Sequence, residues 1–276
     1  MPTVGVVGLG LMGASFAMAL KKAQPDTTLV GCDRDPATVR KALDRGVVAS
    51  ASQDLDVIEM ADVVVVAVPI LAARDVLAAL GKRIQGQGKL VTDMASTKVE
   101  VMEWASAAGI DLVGGHPMCG REASGIDAAD ADLFQGATWI LTRDEPAVSG
   151  LVTSVGAHPM VLDAAAHDTL VAGVSHAAFM LSVGYVLSLA SRPDWAQASR
   201  LAASGFRDMS RLAAGDAALY SGIAGTNREH IIEQLDGVSA ALARIRRHLE
   251  AGDPRLVELF EEAARVRERW AKEAGA

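Results

Sequence analysis

The chain has 276 residues, half of them hydrophobic and 22% charged, with a formal net charge of −8. That is enough for one large domain or two ordinary ones with a proper core, and the composition excludes a disordered chain. The acidic balance lacks the basic face that a nucleic-acid partner requires. The two cysteines, Cys32 and Cys119, are too few for a disulfide framework and suit a reducing cytoplasm, the expected location. Met1 leads straight into an apolar run without a basic segment or cleavage pattern, so no secretory leader is expected.

Strand and helix patterns alternate along the first part. Thr3–Gly8 is a valine-rich run ending in glycine, Leu11–Lys22 has helical periodicity, Thr28–Cys32 is a second apolar run, and Pro36–Arg45 reads as an amphipathic helix. Val63–Val68 is β-branched at every position but Ala67 and stops at Pro69, as a central parallel strand does. Lys89–Thr92, Leu112–Gly114 and Thr138–Leu141 supply further strands, with helices near Leu71–Leu80 and Thr97–Ala107. This alternation predicts an α/β fold with a doubly wound parallel sheet.

After about Leu162 the pattern becomes helical: His167–Ser191, Trp195–Ala214, Asn227–Glu250 and Asp253–Glu273. The expected organisation is an N-terminal α/β domain, residues 1–162, and an all-α C-terminal domain, residues 163–276. Leu170–Ala190 carries no Asp, Glu, Lys or Arg and has the length of a membrane span. Its serines, glycines and His176, with basic residues missing on one flank, instead suggest a buried helix or a dimer interface, and no membrane association.

Gly8-Leu9-Gly10-Leu11-Met12-Gly13 follows a strand and opens a helix. The first glycine permits a tight turn, the second lets a pyrophosphate approach the backbone, and the third lets helix and strand pack closely. Amides at the helix start, among them those of Leu11 and Met12, would face the phosphates. Asp33 ends the next strand, twenty residues beyond Gly13, where a carboxylate can accept hydrogen bonds from a ribose. The set predicts a Rossmann dinucleotide-binding domain. Asp33 would repel a 2′-phosphate and favours NAD, while the adjacent Arg34 could offset that repulsion and leaves NADP open.

Gly114-Gly115-His116-Pro117-Met118-Cys119-Gly120 is read as a loop at a strand end, where open sheets bind ligands. His116 lies among glycines and near Arg121 and Glu122, and an imidazole there suits accepting a hydroxyl proton while hydride leaves the same carbon. His158-Pro159, without glycines around it, reads as a turn. No His/Cys/Asp cluster has metal-ligand spacing.

The Gly-Gly-His-Pro-Met-x-Gly segment resembles the signature of prephenate and arogenate dehydrogenases. So do Asp93-Met94-Ala95-Ser96-Thr97-Lys98, the His167-Asp168 and Val174-Ser175-His176 segments, and Gly205-Phe206-Arg207-Asp208-Met209-Ser210-Arg211, in that family's order. With the glycine loop, the likeness runs from Val4 to Asn227. It implies NAD-dependent oxidation and decarboxylation of a cyclohexadienol acid. By resemblance His116 would be the catalytic acceptor, with Ser96 beside it orienting the hydroxyl or the nicotinamide. Arg211 would bind a substrate carboxylate through its planar fork, and His176 would line the pocket. The family also implies a homodimer through the helical domain.

Blander readings sit beside these. Ser96 could cap the following helix, Arg207 and Asp208 could pair with each other, His167-Asp168 could start a helix, and Cys119 reads as a spacer. Phe179 stands where prephenate-type members often carry histidine, which moves weight toward arogenate, and Tyr220 stands near a frequent tryptophan. A β-hydroxyacid dehydrogenase is the nearest rival, but no lysine occurs between Lys98 and Lys272 to serve as its helix-borne catalyst. A non-catalytic NAD-binding regulator is the rival from another class, and it would need no proton acceptor.

Overall fold

A computed structural model describes residues 2–121 and 123–274, so Glu122 lies outside the described residues. Contacts divide the chain into two compact units, Met1–Arg228 and Glu229–Ala276. The first unit is built on six parallel strands: β1 (Thr3–Val7), β2 (Thr28–Cys32), β3 (Ser50–Ser52), β4 (Val63–Val66), β5 (Leu90–Asp93) and β6 (Leu112–Val113). Their order is β3-β2-β1-β4-β5-β6, so the sequence of strands reverses between β1 and β4. Ligands of such sheets bind at that switch point, beyond the carboxyl ends of the strands.

Alternation along β4 explains why both faces are covered. Val63 and Val65 pack with α1 (Leu11–Ala23), whereas Val64 and Val66 pack with α3 (Ile70–Ile84) and α4 (Val99–Ala107). All four valines are buried, as a central parallel strand demands. The helix α2 (Pro36–Asp44) starts with Asp35 accepting from the Ala37 and Thr38 amides and with proline in its first turn.

A second sheet was not anticipated. Gly115–Pro117 is itself a strand, β7, antiparallel to β8 (Thr138–Leu141), which pairs in parallel with β9 (His158–Val161). The expected loop around His116 is therefore a strand, and Thr138–Leu141 leaves the main sheet. His158-Pro159 is strand rather than turn. All four residues of β9 are exposed, so it had no buried alternation to read. The connecting helix α5 (Pro146–Ser154) was also missed.

Beyond Leu162 the chain is helical. Asp163 caps α6 (Ala164–Val171), and a π segment, Ala172–His176, joins it to α7 (Ala177–Ala190). The whole stretch is long and apolar enough to cross a membrane by length and composition. Two of its buried polar residues, His167 and Asp168, however, bond to the α/β part. The predicted helix Trp195–Ala214 is broken into α8 (Trp195–Ala198), α9 (Ser204–Ser210) and two 3₁₀ turns, Ser199–Leu201 and Arg211–Ala214. The cause is on α7. Ser182 Oγ donates to Met209 O at 2.8 Å and accepts from Ala213 N at 3.0 Å. A hydroxyl has entered the place of a helical hydrogen bond and bent the chain at Arg211. The helix α10 (Ala217–Thr226) closes this part, capped by Asp216. The second unit carries most of α11 (Arg228–Ala251) and all of α12 (Leu256–Ala274).

Candidate active site

The glycine loop meets its steric requirements. Gly8 has φ +94°, and a Cβ on Gly13 would lie 1.9 Å from Gly8 O. At Gly10 a Cβ would meet nothing within 4 Å, so the space above that residue is open. Gly10 is also the cap position of α1, with no side-chain cap and no acidic residue in the first turn. The first amides of α1, at Leu11, Met12 and Gly13, are thus left for an anion. These residues fit a pyrophosphate. Asp33 directly follows β2 and is half-buried, its Oδ2 accepting from Leu9 N at 2.8 Å and its Oδ1 from Asp35 N at 3.0 Å. Arg34 is exposed next to it.

The chemistry-bearing residues gather beyond β5. Asp93 accepts from Gly115 N at 2.9 Å and from Ala95 N at 2.8 Å, and it pairs with the fully buried Lys98, whose Nζ also donates to Gly115 O at 2.6 Å. A Cβ on Gly115 would stand 2.4 Å from Asp93 O, so glycine alone allows this approach. Asp93 and Lys98 thereby hold both backbone polar groups of Gly115, the residue leading into His116. Burial pulls the Lys98 pKa below its ordinary value, against the opposing pull of Asp93 and Asp168.

His116 is buried, and its Nδ1 lies 2.8 Å from His167 Nε2. His167 Nδ1 lies 2.7 Å from Asp168 Oδ1. Asp168 accepts from Lys98 N at 2.7 Å and from Val99 N at 2.9 Å, capping α4 from a different helix. Burial, with the neighbouring His167, Lys98 and His176, holds the His116 pKa well below 6.5. His176 is buried in the π segment, with Nδ1 3.1 Å from Asn227 Nδ2, and burial lowers its pKa to about 4. Asn227 Nδ2 also donates to Asp168 O at 2.8 Å, and Thr97 bonds Thr226 at 2.8 Å.

The other expected residues fall as follows. Ser96 is half-buried between β5 and α4. It does not cap α4, whose cap position is Lys98 and whose amides Asp168 takes. Arg211 is exposed at the bend made by Ser182. Arg207 and Asp208, expected to pair, are both exposed and form no ion pair among the described residues. Phe179 stacks on Tyr220, centroids 3.4 Å apart, beside a cavity of about 350 Å³ that Ala213, Gly215 and Ser221 also line. Burial raises the Cys119 thiol to about 11, which fits a spacer and not a nucleophile.

Two family models match the chain. A family model described as the nucleotide-binding domain of prephenate dehydrogenase matches residues 16–149, and one described as its dimerization domain matches residues 163–262. The prephenate dehydrogenase of Lactococcus lactis subsp. cremoris (strain MG1363) is 32% identical over 97% of this chain and 77% of its own length. The chain belongs to the prephenate/arogenate dehydrogenase family.

Among solved structures, Synechocystis arogenate dehydrogenase is 31% identical with a TM-score of 0.85, over 97% of this chain and 99% of that one. Prephenate dehydrogenase from A. aeolicus, in complex with hydroxyphenyl propionate and NAD+, gives 26% and 0.90 over 98% of both chains. This member of the prephenate/arogenate dehydrogenase family is thus an oxidoreductase with a nucleotide-binding α/β part and a helical part.

Sequence reasoning underrated two residues. His167 and Asp168 were read as a helix start, yet α6 starts three residues earlier and both side chains are sealed inside. A signal was present: two adjacent polar residues in a segment otherwise apolar enough to be a membrane span are costly to bury unless each has a partner.

Proposed function

We propose that the chain catalyses oxidative decarboxylation of arogenate, prephenate or both, with NAD as hydride acceptor and His116 as proton acceptor, on the route to tyrosine. The observation that carries this reading is the His116 ring, buried, kept neutral by its surroundings and bonded through one nitrogen only to His167 among the described residues. Nicotinamide, when bound, supplies the hydride acceptor. The second ring nitrogen of His116 takes the hydroxyl proton as hydride leaves the same carbon, and loss of carbon dioxide aromatises the ring. Much of the driving force comes from that aromatisation, so the protein's task is positioning. Ser96 orients the hydroxyl or the nicotinamide, Arg211 holds a carboxylate, and His176 lines the pocket from the helical side.

Asp33 supports NAD over NADP through repulsion of a 2′-phosphate, and exposed Arg34 is the group that would admit NADP. For the substrate, Phe179 packed on Tyr220 offers no hydrogen bond to a side-chain carboxylate. That favours arogenate, whose side chain also carries an ammonium. The division of labour falls near residue 162, with dinucleotide on the first side and substrate and self-association on the second. The working form is a cytoplasmic homodimer joined through the helical part.

The test is an assay of purified full-length chain with NAD and each acid separately, read by the absorbance of the reduced nicotinamide. Turnover of both acids, with arogenate at least equal to prephenate in kcat/KM, is expected. Tight NAD binding without turnover of either acid would mark a non-catalytic regulator and overturn the proposal.

A further inference from the structure

Asp168 needs no histidine to cap α4, because its two oxygens already accept from the Lys98 and Val99 amides. Yet His167 also meets Oδ1 of that carboxylate, and its other nitrogen meets His116. Two imidazoles have been buried where apolar side chains would pack without the cost of desolvation. Hydrogen-bond roles along the row follow from one end. A carboxylate only accepts, so His167 Nδ1 must carry the proton it donates to Asp168. In neutral His167 the Nε2 is then bare and accepts, and His116 Nδ1 must donate to it. The lone pair of His116 is therefore confined to Nε2.

We infer that His167 and Asp168 are positioning residues that fix the tautomer of His116 and receive the charge it acquires, an inference that rests on His116 being the proton acceptor. When Nε2 of His116 takes the substrate's hydroxyl proton, the proton on Nδ1 passes to Nε2 of His167. His116 is neutral again, and the positive charge sits on His167 against the Asp168 carboxylate. The surroundings favour that transfer. Burial disfavours charge on His116 most, and His167, Lys98 from the segment before α4 and His176 from the π segment add to it. Asp93, the carboxylate at the end of β5, is occupied by Lys98 and by the Ala95 and Gly115 amides. Asp168 is the acceptor that the His116 ring reaches, through one intervening imidazole.

The experiment compares wild type, His167→Ala, His167→Gln and His116→Asn, each as full-length chain. In wild type, ¹⁵N-histidine NMR should find His116 protonated at Nδ1 and bare at Nε2. Glutamine can accept from His116 Nδ1 but cannot take up its proton. His167→Ala should lose about tenfold or more in kcat, with NAD affinity unchanged, and its His116 should populate the Nε2-protonated form. His167→Gln should restore the tautomer and part of kcat. A wild-type His116 protonated at Nε2 overturns the inference, whether or not the variants fold. So does a His167→Ala enzyme with wild-type kcat and pH profile, while loss of turnover in His116→Asn leaves the assignment of the acceptor standing. Turnover surviving in His116→Asn sinks that assignment itself, and the two failures are thereby told apart.

Discussion

At the scale of single residues, the decisive property is the protonation state of one ring. A proton acceptor must be neutral, and burial holds the His116 pKa well below 6.5. The kcat/KM profile for substrate should therefore be flat through neutrality and fall only as pH drops through that depressed value. A pH–rate measurement checks this, and an acid limb centred at or above 6.5 would contradict it. The same proton works against the fold. The unfolded chain takes it up from about pH 6.5 downward while the folded chain resists, so stability declines as pH falls through that range. At the cofactor end, Asp33→Ser removes the charge that opposes a 2′-phosphate beside an exposed arginine. NADP use should rise relative to NAD by about tenfold, as a ratio of kcat/KM values. An unchanged ratio would place ribose recognition elsewhere.

At the scale of elements, the kink at Arg211 carries the clearest prediction. Ser182→Ala removes the hydroxyl that separates Met209 O from Ala213 N, and two backbone groups lose their partner. The cost in stability should be about 1–3 kcal/mol, measured by denaturant unfolding. The substrate KM should rise several-fold as the Arg211 turn relaxes, with NAD affinity unmoved. Such a bend was not legible in the sequence, because the apolar periodicity of Trp195–Ala214 is helical throughout and the interruption comes from a serine on another helix. Five of the six strands of the main sheet were legible for the opposite reason, while β3, a three-residue Ser-Ala-Ser edge strand, carries no apolar run and was not. Val63–Val66 is buried on both faces by its own composition, and Gly8 and Gly13 announce the turn that follows β1. His116 was legible from its glycines, but its strand was not, since three residues of Gly-His-Pro have no pattern of their own until β8 pairs with them. His167 and Asp168 were visible as polar residues in an apolar stretch, and their purpose needed the fold to bring residue 116 alongside.

At the scale of the whole molecule, exposed apolar side chains remain to be covered. Val174 is 76% exposed, Leu170 55% and Leu187 62%, on a stretch that begins within the region matched by a dimerization-domain model. Sedimentation or light scattering should find a dimer at micromolar concentration, and charged substitutions at Val174 and Leu187 should shift it toward monomer. A monomeric wild type would mean that another partner covers this face. The bonds from Asp168 to Lys98 and Val99, from Asn227 to Asp168 and from Thr97 to Thr226 join segments far apart along the chain. Natural recombination or laboratory shuffling among relatives therefore cannot treat the nucleotide-binding half and the helical half as interchangeable cassettes. A chimera whose crossover falls between residues 116 and 167 inherits its imidazole from one parent and the His167–Asp168 support for that imidazole from the other, and will work only where the parents agree on both.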